Sequence, residues 1–163
     1  MKQHVSEVTI AALLYRYGAD IFCSEGMLSE RSYMQHGNIS CYEHSVAVAA
    51  MSIRIMYYFH VQVDVRSMVR GALLHDYFLY DWHVPCEDRK GLHGFTHAGC
   101  ALRNAERDFE LSGRERDIIE KHMFPMNPGL PRYKESVIVT LADKLCAARE
   151  TFLHRSRPNR MAG

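Results

Sequence analysis

A chain of 163 residues is long enough to bury one core and shorter than the length at which a second is expected, so residues 1–163 read as a single domain. Its 20 Lys and Arg against 19 Asp and Glu leave a net charge of +1, scattered along the chain, which excludes the concentrated basic field of a nucleic-acid-binding protein. Cys23, Cys41, Cys86, Cys100 and Cys146 are odd in number and form no C-x-x-C pair. This excludes a disulfide scaffold or zinc finger and points to free thiols in a reducing, cytoplasmic setting.

The first apolar stretch, VTIAALLY, is short and bounded by Glu7, Arg16 and Asp20, so it predicts neither a membrane span nor a cleavable leader. Helical periodicity predicts a helix over 4–17, a Gly- and Ser-containing loop through Asn38, and helices over 42–59, 65–80, 97–111, 113–123 and 134–153. The cluster Pro125, Pro128, Gly129 and Pro131 separates the last two. Ser112 followed by Glu115 fits a capping box and sets the start of the fifth helix. The basic tail from about residue 154 lacks periodicity and is expected to fray. No run alternates as a strand does, so the expectation is an all-α bundle of about six helices.

Polar residues interrupt the apolar faces of these helices in a restricted way. On 65–80, Val65, Met68, Val69, Ala72 and Leu73 recur at helical spacing; Asp76 continues that stripe, with His75 beside it. His44 falls in line with Val48, Met51 and Ile55, His122 with Ile118 and Ile119, Asp143 with Val139 and Cys146, and His97 with Cys100, Ala101 and Ala105. A single histidine of this kind is more often a core residue bonded to a carbonyl, and a lone aspartate can accept backbone or Arg donors. Four His and two Asp, converging from five segments, are another matter. A buried carboxylate is costly unless a cation or strong donors compensate it, and the joint pattern points to bound metal.

The order His44, then His75-Asp76 in GALLHD, then Asp143 in LADKL resembles the H…HD…D signature of the HD-domain metal-dependent phosphohydrolase superfamily, over about residues 36 to 150. His97 in THA and His122 in IEKHM are similar to the two additional histidines of the subset with a paired-metal centre, represented by HD-GYP phosphodiesterases and bacterial diadenosine tetraphosphate hydrolases. Many relatives carry Pro after the histidine aligned with His97; this chain has Ala98, which leaves His93 as an alternative ligand.

The resemblance implies two divalent ions, with Asp76 bridging them, His44, His75 and Asp143 completing one sphere and His97 with His122 holding the other. An imidazole and carboxylate set without thiolate suits Fe or Mn first, then Zn, Ni or Co. It further implies hydrolysis of a small phosphoester, nucleotide-like, as monoester or diester. Lys144, next to Asp143, is the first candidate for the phosphoryl oxygens, followed by Lys121, Arg132, Lys134, Lys90 and Arg54. His36 and His93 sit in Gly-containing loops and are candidates to contact substrate or protonate a leaving group. The run YFLYDWH offers Tyr77, Tyr80, Trp82 and His83 as stacking surfaces or as core. The expected catalytic set is therefore Asp76, Lys144 and His93, with His36, Lys121, Arg132 and Tyr77 binding substrate. The expected partner is a small phosphorylated molecule, with no nucleic-acid polymer and no membrane; the oligomeric state stays open. Two other readings share the residues: a di-iron oxygenase of the myo-inositol oxygenase or phosphonate oxygenase type, and a non-catalytic metal- or nucleotide-binding sensor.

Overall fold

The computed structural model describes residues 4–36, 38–82 and 93–155, and their side chains except at 36, 93–95 and 153–155. Within them the fold is all-α, as expected, with seven helices: α1 Glu7–Phe22, α2 Glu25–Ser29, α3 Cys41–Phe59, α4 Val65–Leu74, α5 His93–Asp108, α6 Gly113–Lys121 and α7 Lys134–Arg155. A 3₁₀ turn (Glu30–Ser32) and a two-stranded ladder, β1 Met34–His36 with β2 Ile39–Ser40, lead into α3. No helix among the described residues is long and apolar enough to cross a membrane. Cys23, Cys41, Cys100 and Cys146 are free; Cys86 lies outside the described residues.

Side-chain caps define most starts. Ser6 caps α1, Asp64 caps α4, and the predicted Ser112–Glu115 capping box opens α6. The same device, Ser40 with Glu43, opens α3. Helix α4 is the hub: Ser67 to Leu74 are all buried, and it packs on α1, α3, α5, α6 and α7. Its one buried cation, Arg70, is paired with Asp20 of α1 at 2.6 Å and with Glu115 of α6 at 3.0 Å. Gly71 sets the α4–α6 approach, since a Cβ there would lie 2.5 Å from Ile118 Cδ1 and 2.9 Å from Ile118 Cβ. The two helices thus run close enough to end side by side.

Several boundaries differ from the sequence expectation. The first helix starts at its Ser6 cap and continues to Phe22, because Gly18 is no breaker; it makes room for Leu73, whose Cδ1 would be 2.5 Å from a Cβ. The expected loop before Asn38 holds α2, the 3₁₀ turn and β1, pieces too short to show a period. The helix predicted over 65–80 stops at Leu74. There Phe78 N–H turns back to Asp76 O at 2.7 Å, Leu79 takes a left-handed φ of 59°, and Asn104 of α5 donates to the carbonyls of Tyr77 and Phe78 at 3.1 and 3.0 Å. Tertiary hydrogen bonds here outcompete local helical preference. Helix α5 begins at His93 rather than 97 and ends at Asp108, and α7 runs to Arg155, past the expected onset of fraying at 154.

Candidate metal centre

His75 and His122 are presented by one device used twice. Each is the C-cap of its helix, α4 and α6, and each places its ring Nδ1 2.8 Å from the carbonyl three residues back, Ala72 O and Ile119 O. A carbonyl can only accept, so Nδ1 carries the proton and Nε2 keeps its lone pair for the interior. Because Gly71 and Ile118 hold the two helices together one turn earlier, the two imidazoles meet edge to face with centroids 4.9 Å apart. His44 comes from α3, His97 from α5 and Asp143 from α7; Asp76 directly follows α4.

These side chains form two groups able to hold a metal ion: His44, His75 and Asp143, and Asp76, His97 and His122, the donor atoms of each lying within 4.8 Å of one another. Asp76 faces both. Its Oδ1 lies 3.3 and 3.5 Å from His97 and His122 Nε2, and its Oδ2 lies 3.5 and 3.9 Å from His75 and His44 Nε2. Asp143 Oδ1 is 3.1 Å from His44 Nε2 and 3.8 Å from His75 Nε2. Two supports were not anticipated from the sequence. Gln35 of β1 donates to Asp76 Oδ2 at 2.6 Å and accepts from the Cys41 thiol, and Glu150 of α7 lies 3.0 Å from His44 Nδ1.

Charge is concentrated here on side chains that are almost fully buried. Burial alone would raise the Asp76 carboxyl, but His75, His122 and His97 outweigh it and hold the group well below the usual carboxylate range. Asp143 is likewise held far down, burial being overcome by His44 and His75. Burial opposes protonation of His44, yet its bonds to Asp143 and Glu150 dominate and push it up to about 10. His122 moves the other way, lowered by burial and by the neighbouring His75 and His97. Glu30 is fully buried beneath the site, with neither oxygen hydrogen-bonded; burial and the Asp76 charge raise it well above the usual range.

Buried His75 Nε2 and Asp76 Oδ1 make no hydrogen bond, although each points into the cluster. Atoms so desolvated demand a partner, and a cation between the imidazole nitrogens and the carboxylates satisfies all of them together. The donor set of nitrogen and oxygen, without thiolate, fits a divalent ion.

A scan against family models matches residues 41–148 to the HD domain. The chain belongs to the HD-domain family. A search of the curated proteins and a search of the solved structures returned no match. The family is mostly one of metal-dependent phosphohydrolases, and the matched stretch of this HD domain contains all six residues of the two groups.

A cavity of about 400 Å³ opens onto the HD site, lined by Asp76, His97, His122 and Asp143 together with Gln35, Trp82, Met123, Met126, Lys144 and Ala147. Lys144 projects into it while its Nζ donates to His122 O at 3.2 Å. Three residues expected to bind substrate are placed elsewhere. Tyr77 is fully buried, its hydroxyl donating to Asp108 at 3.1 Å and its ring edge-on to Phe109, because the chain turns out of α4 just before it. Lys121 pairs with Glu120 at 3.0 Å and lies over Gly129. Arg132 lines a separate cavity with Arg114, Lys134 and Glu135, held there by its N–H to Asp117. Arg54 is paired with Glu7 on the α1 side. Trp82 lines the cavity, whereas Tyr80 packs on Phe78. The side chains of His36 and His93, and all of His83 and Lys90, lie outside the described residues.

Proposed function

We propose that this HD-domain chain is a metal-dependent phosphohydrolase that cleaves a small phosphoester, nucleotide-like in size, with water as nucleophile. One observation carries the reading: a carboxylate, Asp76, faces two donor groups at once, and the same cluster forms the floor of a cavity bearing a lysine. His44, His75 and Asp143 would hold one divalent ion and Asp76, His97 and His122 a second, Fe or Mn first and then Zn, Ni or Co, all of which a mixed imidazole and carboxylate set accepts. Ions so held would supply Lewis acidity toward a phosphoryl group and acidify a water.

The chain's own groups account for the rest. Asp76 stays ionised because four imidazoles surround it, so it serves as a fixed anion rather than a proton carrier. Lys144, tethered through one of its three N–H bonds to His122 O, retains two for the non-bridging phosphoryl oxygens. Trp82, Met123, Met126 and Ala147 give the cavity an apolar wall on which a base or similar flat group can lie while water is kept from the leaving side. His93, one turn before His97 on α5, is the candidate proton donor to the leaving oxygen, and His36 a candidate substrate contact.

The test is phosphate release by protein loaded with Mn²⁺ or Fe²⁺, across nucleoside monophosphates, cyclic dinucleotides and dinucleoside polyphosphates. Turnover that disappears in His75→Ala and falls at least tenfold in Lys144→Met supports the proposal. Metal-replete protein that releases no phosphate but consumes oxygen overturns it in favour of an oxygenase.

A further inference from the structure

We propose that Glu150 is a positioning residue for the ligand His44, an inference that rests on the metal reading above. His75 and His122 sit at helix ends, where a carbonyl three residues back is free to fix the ring. His44 lies inside α3, where the helix's own ladder takes up nearby carbonyls, so its Nδ1 needs an acceptor from elsewhere. Glu150 supplies it, with its two carboxylate oxygens 3.0 and 3.2 Å from that nitrogen.

The contact is built rather than incidental. Glu150 is seven residues, about two turns, beyond Asp143 on α7, so both carboxylates come from one face of one helix. Asp143 Oδ1 stands 3.1 Å from His44 Nε2 while Glu150 engages Nδ1, so α7 grips the imidazole at both ring nitrogens. The Glu150 side chain is only 10% exposed, unlike an ordinary solvated glutamate. It also lies two residues past the stretch matched to the HD domain, which ends at 148.

Two effects follow for His44. A carboxylate on Nδ1–H fixes the tautomer that leaves the Nε2 lone pair inward, and it makes that nitrogen a better donor than a backbone carbonyl would. Both act on the His44, His75 and Asp143 group and leave Asp76, His97 and His122 untouched.

EDTA-stripped wild type, Glu150→Ala and Glu150→Gln are each titrated with Mn²⁺, counting bound ions by the loss of the free Mn²⁺ resonance, with melting curves in EDTA as the folding control. Weakening of one Mn²⁺ site by about 10- to 100-fold in Glu150→Ala is expected once affinities from titrations at about pH 7 and pH 9 are corrected for the proton that competes for His44, with the other site unchanged. Glu150→Gln, whose amide oxygen still accepts from Nδ1–H, recovers most of that loss. Equal proton-corrected Mn²⁺ affinities in Glu150→Ala and wild type overturn the inference, as does equal weakening of both sites in step with a lower melting temperature. Wild type that takes up no Mn²⁺ overturns the metal reading itself, and this inference with it.

Discussion

Metal uptake by this chain should release a proton, and His44 supplies it. Its hydrogen bonds to Asp143 and Glu150 push its pKa to about 10 without metal, so it is charged at neutral pH, whereas a ligand imidazole must be neutral. At pH 7 that gap of three units opposes binding by about 4 kcal/mol, and the opposition shrinks as pH rises. Mn²⁺ affinity should therefore climb about tenfold per pH unit between pH 7 and 9. His122, already shifted down, contributes no such proton. Calorimetric titration of EDTA-stripped protein in two buffers of different ionisation enthalpy reads the proton count directly. At least one proton released at pH 7.5, reduced by about one in His44→Asn, is the expected result. An affinity that stays flat from pH 7 to 9 with no proton released would refute the assignment of His44 as the source of the displaced proton.

The same shift makes the metal-free fold sensitive to alkali. A folded pKa raised from 6.5 to about 10 gives stability fully present below pH 6.5 and lost as pH climbs toward 10. That amounts to up to about 5 kcal/mol, or a fall in Tm of roughly 10–20 °C, readable by circular dichroism in EDTA; a Tm that rises over this range contradicts it. Tyr77→Phe removes only the hydroxyl bonded to Asp108, so it should cost about 1 kcal/mol in urea melts and leave KM unchanged; a large rise in KM would return Tyr77 to the substrate site. Gly71→Ala drives a methyl into Ile118, a branched side chain between two buried helices, and should cost about 1–3 kcal/mol; an unchanged urea midpoint would show that α4 and α6 separate freely.

The parts of the site that were legible in the sequence are those where a helix displays its own period. His44, His97 and Asp143 stand on helices whose apolar stripes announce them, and the Ser112–Glu115 capping box located the start of α6 to the residue, though the helix ends at Lys121 rather than 123. Asp76 and His122, read from the apolar stripes, and His75, read as the neighbour of Asp76, join the two groups although α4 and α6 end at or before them, because the residue that leaves a helix still projects where the last turn aims it. Tyr77 was misplaced for the same reason: nothing local announces that Asn104, 27 residues on, will hold the chain out of helix. Gln35 belongs to a three-residue strand, too short for any pattern, and its role depends on a fold that brings β1 over Asp76. Glu150 did carry a signal, a spacing of seven from Asp143, but as a glutamate near the end of a helix it resembled a solvated face. Lys121 and Arg132 show the converse: charge near a motif in sequence says little about which way a side chain turns once a loop such as 122–133 intervenes.

Anomalous scattering from crystals of the Mn²⁺-loaded protein tests the central claim most directly. Two peaks are expected, one among His44, His75 and Asp143 and one among Asp76, His97 and His122, with Asp76 touching both. Crystals of Mn²⁺-bound protein whose peaks lie away from these six side chains would contradict it.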